Sequence, residues 1–503
     1  MNDKNLSLAD RLWLSWGRFF AENKVPFLAS LLAGLLTHGF ALTNKLVNHD
    51  EIESLFGKGA TITSGRWGLE LVKVLFPDWS MPWIYGCISI LLMALAVCTA
   101  VRILGLRSKP MQALLGMLVL SFPALTGNFC FMFTSAAYAL AFFLAVISVE
   151  QYLKGGKLHI CLAMLCLVMA LSMYQAYISV AASIYVVLMI LRALDGAGVK
   201  DNVLFGIKAL LMMAVSIAVY YAVTLLVFRF TGAEFNAYVT ENVTGDVGLL
   251  RRLRMAYDAF FYIFSFRNFY VITSEVSRYI HIALALLILV SLGIVTVQRE
   301  KKNVLRALMP AVLTALLPLS ICCMYLIMSR ESIHTLVMYS FVAVYMLLIA
   351  LLERLNIRGI KDLAALLLTV VLISNVYFGN MTYLKLKLQY ENAYSFYTAL
   401  MAQVKNTEGF DENTQLAIIG RQDNLLHTFP ELDTDLLMGP ANELVNIYSR
   451  ENFIKYYLGF DIPFASEEEL ASLGEDARVQ EMAEYPYYGS VKKIDDYMVV
   501  KLG

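Results

Sequence analysis

Long apolar runs recur along the chain, separated by short polar turns, and they set its architecture. Eleven reach the length of a membrane crossing, at approximately 26–44, 82–103, 110–127, 133–153, 158–175, 177–195, 203–228, 279–298, 304–328, 335–353 and 363–380. A helix rises 1.5 Å per residue, so about 20 apolar residues cover the roughly 30 Å of hydrocarbon. Residues 158–195 are too long for one crossing, and only Tyr174-Gln175-Ala176-Tyr177 interrupts them. Two spans are predicted there. The expected fold class is a polytopic α-helical membrane protein with about 11 transmembrane helices.

Basic residues orient these spans. With the amino terminus inside, Lys4, Arg11, Arg18 and Lys24, then Arg102, Arg107 and Lys109, then Lys154 and Lys157 fall on the cytoplasmic side. Arg192 and Lys200, Arg299, Lys301 and Lys302, and Arg354, Arg358 and Lys361 fall there too, whereas the turns at 128–132 and 174–177 carry no Lys or Arg. That asymmetry follows the positive-inside rule. Merging the fifth and sixth spans would carry Arg299–Lys302 outside, so charge supports keeping them apart. The amphipathic segment 1–25 lacks the apolar core of a signal peptide and is predicted to be a cytoplasmic interfacial helix.

An odd span count sends the carboxyl terminus outside, where the pattern changes. From 381 to 503 a small extracytoplasmic α/β domain is predicted: helical periodicity over Glu391–Val404, a buried strand at 415–420, a helix over 439–458 and a strand at Tyr497–Leu502. Residues 26–380 then form the membrane domain, with long outer loops at 45–81 and 229–278. The second loop carries Arg251, Arg252 and Arg254 followed by Tyr257, Phe260, Phe261, Tyr262, Phe264 and Phe266. Aromatic rings and basic groups in that order suit a segment lying along the outer leaflet.

Composition narrows the function. The chain is 59% hydrophobic and 16% charged, against about 45–50% and about 25% in soluble proteins, which excludes a soluble enzyme, a secreted scaffold and a disordered hub. Forty Lys+Arg balance 40 Asp+Glu, so no bulk charge points to nucleic acid. Six of the seven cysteines lie in apolar runs, and no disulfide framework or zinc spacing emerges. The spans hold few internal acids, which argues against a proton- or ion-coupled transporter.

The candidate chemistry lies on one face. Asp50-Glu51 follows the first span directly, where a carboxylate can serve as general base, although acidic pairs on loops are more often simply solvated. Fifteen residues on, Gly65-Arg66-Trp67-Gly68 offers a guanidinium suited to phosphate; its bland alternative is a snorkelling Arg beside a Trp anchor. Tyr174 and Gln175 can hydrogen-bond a hydroxylated substrate, or merely make a turn polar. Arg330, Glu331 and His334 crowd another outer turn, as a phosphate site or a local salt bridge. His38, inside the first span, reads as a satisfied helix histidine. No HExxH, GxSxG or Walker sequence is present.

In NHDE at 48–51, SGRWG at 64–68, SFPALTGNFCFMF at 121–133, SMYQAYIS at 172–179 and the ending YPYYGSVKKIDDYMVVKL, the chain resembles the GtrII-type glucosyltransferases, bacterial and phage membrane enzymes that decorate surface polysaccharides. The resemblance implies a GT-C-like architecture in the bacterial cytoplasmic membrane. It also implies a polyprenyl-phosphate hexose donor and a polysaccharide or lipid-linked glycan acceptor, with the sugar transferred on the outer face. On that reading Asp50 and Glu51 are catalytic and Arg66 and Arg330 hold the donor phosphate. Trp67, Tyr174, Gln175 and His334 would bind substrate. No obligatory metal or cofactor is inferred, because arginine can stabilise a monophosphate leaving group. A lipid-linked sugar flippase and a polysaccharide polymerase or ligase are the rival classes.

Overall fold

The computed structural model describes residues 7–241, 247–264, 274–299, 304–328, 335–411, 413–421 and 444–503. Its helices are α1 (Leu8–Thr43), α2 (His49–Glu53), α3 (Gly68–Leu71), α4 (Pro82–Leu104), α5 (Lys109–Ser121), α6 (Pro123–Phe129), α7 (Met132–Lys154) and α8 (Gly156–Met173). There follow α9 (Ile178–Leu194), α10 (Val199–Thr231), α11 (Ala237–Glu241), α12 (Leu249–Phe264), α13 (Ser274–Arg299), α14 (Val304–Ile321), α15 (Val342–Arg354) and α16 (Arg358–Asn406). Among the described residues eight helices are long and apolar enough to cross a membrane, or nine if α5 and α6, bent by 41°, form one span.

The expected count of eleven is not reached among the described residues, and at two of the runs the helix is short. The run at 304–328 divides into α14, which contains Pro310 and Pro318, and a 3₁₀ turn at Cys323–Leu326. The run at 335–353 spends its first residues in two 3₁₀ turns, leaving α15, whose residues Val342–Leu352 are all buried. A helix apolar on every side is here enclosed by protein. The division at Tyr174–Tyr177 is present as a break between α8 and α9, with Gln175–Tyr177 in a 3₁₀ turn.

The helices at the two ends of the membrane region, α1 and α16, both outrun the bilayer. Ser7 and Asp10 form a capping box that starts α1, which continues through Pro26 without a break, so the predicted interfacial segment and the first span share one helix of 36 residues. At the other end α16 runs 49 residues, straight through position 381, and spans about 73 Å at 1.5 Å per residue. Neither Gly nor Pro occurs in Met381–Tyr390, so nothing stops the helix where the hydropathy falls. His38 ties three elements together: Nδ1 lies 2.6 Å from the Tyr383 hydroxyl on α16 and Nε2 2.7 Å from the Leu120 carbonyl on α5.

Beyond α16 the chain forms a three-stranded sheet from β1 (Gln415–Ile419), β2 (Val491–Ile494) and β3 (Tyr497–Lys501), ordered β1-β3-β2. β1 pairs parallel and β2 antiparallel to β3. Period-two alternation gives the sheet two faces: Leu416, Ile418, Met498 and Val500 join the main core, while Ala417, Ile494 and Val499 pack with Leu473, Val479 and Met482. The helix expected over 439–458 is shorter. Residues 439–443 lie outside the described residues, and helical turns begin only at Arg450. Upstream, Asn446 and Ser449 exchange side-chain bonds with each other's backbone N–H at 3.1 and 3.0 Å, a local closure that competes with helix.

Candidate active site

The loop at 45–81 is bolted to the α6–α7 junction by its own polar side chains. Asn48 caps α2 by accepting from the Glu51 N–H at 2.8 Å and donates its amide to the Cys130 carbonyl at 2.6 Å. Glu51 is completely buried and paired with Lys45; it accepts from the Ser80 hydroxyl and from the Phe133 N–H at 3.3 Å. Lys58 donates to the carbonyls of Phe133 and Pro77 at 2.8 and 3.1 Å, and burial lowers its ammonium to about 8.

The glycines of SGRWG serve a second attachment. Gly65 has φ +69°, in the left-handed region glycine adopts readily, and a Cβ there would lie 2.7 Å from the Tyr220 hydroxyl. A Cβ on Gly68 would lie 2.1 Å from Ser172 Oγ and 2.9 Å from the Ser172 carbonyl carbon. Gln175 clamps the same loop, donating to the Ser64 carbonyl at 2.8 Å and the Tyr220 hydroxyl at 2.9 Å. Trp67 stacks on Tyr220 with centroids 6.5 Å apart and donates to Thr224 at 3.1 Å. Asn236, from the second long loop, donates to Ser64 Oγ at 3.1 Å.

What these attachments enclose is a solvent-open cavity of about 450 Å³, in the size range of ligand sites. Asp50, Lys58, Arg66, Tyr138, Tyr174, Asn236 and Tyr448 are among its lining residues. The Arg66 guanidinium donates to the Tyr138 hydroxyl at 3.0 Å and lies 5.2 Å from the centre of the Tyr174 ring. Tyr138 and Tyr174 stack 4.5 Å apart. Asp50 keeps 41% of its side chain exposed and accepts from the Tyr448 hydroxyl. The lining therefore carries a partly exposed carboxylate, two cations and a pair of phenols.

Of the sequence-predicted residues, Asp50, Arg66 and Tyr174 meet at this cavity. Glu51, Trp67 and Gln175 do not line it; each holds the frame around it. Arg330, Glu331 and His334 lie outside the described residues. Arg252 donates to the carbonyls of Val247 and Leu326 at 2.8 and 3.0 Å. Lys58, Tyr138, Asn236 and Tyr448 escaped the sequence reading. Tyr138 sits in an apolar run, where a tyrosine reads as core, and Tyr448 is distant in sequence. All seven cysteines are free, and among the described residues no group of His, Cys, Asp or Glu is arranged to hold a metal ion.

A family model described as Glucosyl transferase GtrII matches residues 39–347, more than half of the chain. No curated protein and no solved structure matches it.

Proposed function

Because the chain belongs to the GtrII glucosyl transferase family, we propose that it transfers glucose from a polyprenyl-phosphate donor to a surface polysaccharide or its lipid-linked precursor on the outer face of the cytoplasmic membrane. The observation that carries the proposal is the convergence of Asp50 and Arg66 on one cavity. The donor's phosphate lies against Arg66, with Lys58 adding positive charge to the same site, and its lipid tail runs toward the bilayer. The sugar fills the cavity beside the Tyr138–Tyr174 pair. Asp50, open to solvent, meets the incoming acceptor.

The chemistry is a single displacement. Asp50 takes the proton from an acceptor hydroxyl as that oxygen bonds to the anomeric carbon. The bond from this carbon to the phosphate oxygen breaks on the opposite face, its electron pair leaving with polyprenyl phosphate, and the anomeric centre inverts. Arg66 stabilises the charge that grows on the departing phosphate. A flippase would need neither a base nor bond formation, and a polymerase would take a diphosphate-linked oligosaccharide.

The test uses purified full-length protein, radiolabelled polyprenyl-phosphate glucose and envelope glycan from the source cell. Asp50→Asn should bind donor normally and lose about 10²- to 10⁴-fold in turnover. Arg66→Ala should weaken donor binding by about 1.5–3 kcal/mol. Wild-type turnover by Asp50→Asn would remove Asp50 from the mechanism. An alkaline phosphatase fused after Gly503 should be active, as the outer-face assignment requires.

A further inference from the structure

Asp50 is held by a residue outside the family-matched region. Tyr448 lies past position 347, where that match ends, yet its hydroxyl donates to Asp50 Oδ1 and its ring meets His49 edge-on with centroids 5.8 Å apart. Several contacts fix it there. The Asn446–Ser449 turn shapes the backbone around Tyr448, and Arg450 donates to the carbonyls of Ile418 and Gly420 at 3.1 and 3.2 Å, anchoring the segment to β1. Phe453 and Tyr457 pack on Tyr397 and Tyr390 of α16, and Tyr456 meets Phe56 of the first outer loop.

A carboxylate's terminal torsion is broad and roughly two-fold, so an exposed Asp does not by itself present one oxygen in one direction. We propose that Tyr448 is a positioning residue: it occupies Oδ1 and so leaves Oδ2 to receive the acceptor's proton. The carboxyl-terminal region thereby completes a site whose other parts lie in the membrane domain and its outer loops. The inference rests on the reading of Asp50 as general base. Burial and the bond to Asp50 both push the Tyr448 phenol above its ordinary value, so it stays protonated and able to donate. His49 Nε2, 3.9 Å from Oδ2, borders the open oxygen.

Full-length protein is assayed with radiolabelled polyprenyl-phosphate glucose and envelope glycan. Tyr448→Phe keeps the ring on His49 and deletes only the donor. It should lower kcat about 10-fold, the scale of one charge-assisted hydrogen bond, with donor KM and thermal midpoint unchanged. In an Asp50→Asn background the same substitution should change the residual rate less than about 2-fold, because a residue acting through Asp50 has nothing left to position. Equal losses in both backgrounds would make Tyr448 a packing residue and overturn the inference. Wild-type kcat for Tyr448→Phe, with Asp50→Asn inactive, would overturn it and leave the base assignment standing. Wild-type kcat for Asp50→Asn would instead defeat the base assignment itself.

Discussion

Substituting Gly68 by Ala adds a single methyl group where the loop at 45–81 touches the end of α8. Ordinary contact begins near 3.4 Å, and the added Cβ would lie 2.9 Å from the Ser172 carbonyl carbon and 2.1 Å from Ser172 Oγ. The hydroxyl already donates to the Met169 carbonyl at 2.8 Å, and backbone at a helix end yields little. The loop must therefore retreat by at least about 0.5 Å, and by more than 1 Å if the hydroxyl keeps its bond. Overpacking of this kind costs about 1–3 kcal/mol. Arg66 is two residues away, and a displacement near 1 Å at a reacting site can cost about 10²-fold in rate. Gly68→Ala should lower the thermal midpoint in detergent and reduce glucosyl transfer about 10- to 100-fold. Gly17→Ala, where a Cβ meets nothing within 4 Å, is the matched control. A Gly68→Ala protein with wild-type midpoint and wild-type transfer would refute the claim that this glycine sets the position of Arg66.

The adjacent acids should fail in opposite ways: Glu51→Gln, which removes the buried charge paired with the partly exposed Lys45, should cost about 1–3 kcal/mol of stability, while Asp50→Asn leaves the thermal midpoint near wild type; equal midpoints for the two variants would contradict this. Lys58 gives a pH dependence, since burial holds it at about 8 against 10.5 ordinarily. The unfolded chain binds that proton more tightly, so the charged lysine opposes folding below pH 8 and the opposition fades as pH rises toward 10.5. The wild-type midpoint minus that of Lys58→Met should climb across that window, and a flat difference would count against it.

Sequence made the membrane helices legible wherever one apolar run stood between charged turns, because length and hydropathy settle such an element locally. At 335–353 it gave the apolar run but not its division into two 3₁₀ turns and α15, because burial in protein and burial in lipid leave the same apolar pattern. It divided α16 at residue 381, because hydropathy records the solvent around a helix and not the helix itself. That Asp50, Arg66 and Tyr174 could share one cavity was readable from residue type and from their shared place in the charge-derived topology. Gln175 and Trp67 carry equally suggestive chemistry but spend it on Ser64, Tyr220 and Thr224, which only tertiary contact reveals. Lys58 and Tyr448 had no local signature, since their relevance lies in what the fold brings beside them.

The unbroken course of α16 makes it a lever. A rod about 73 Å long that pivots by about 5° sweeps its far end through roughly 6 Å, about two strand-residue steps. That far end packs against Phe453 and Tyr457, and the chain leading into them carries Tyr448. Helices tilt to match the thickness of the surrounding hydrocarbon. A tilt of this one rigid shaft that followed bilayer thickness would therefore change how closely the Tyr448 phenol is held against the Asp50 carboxylate.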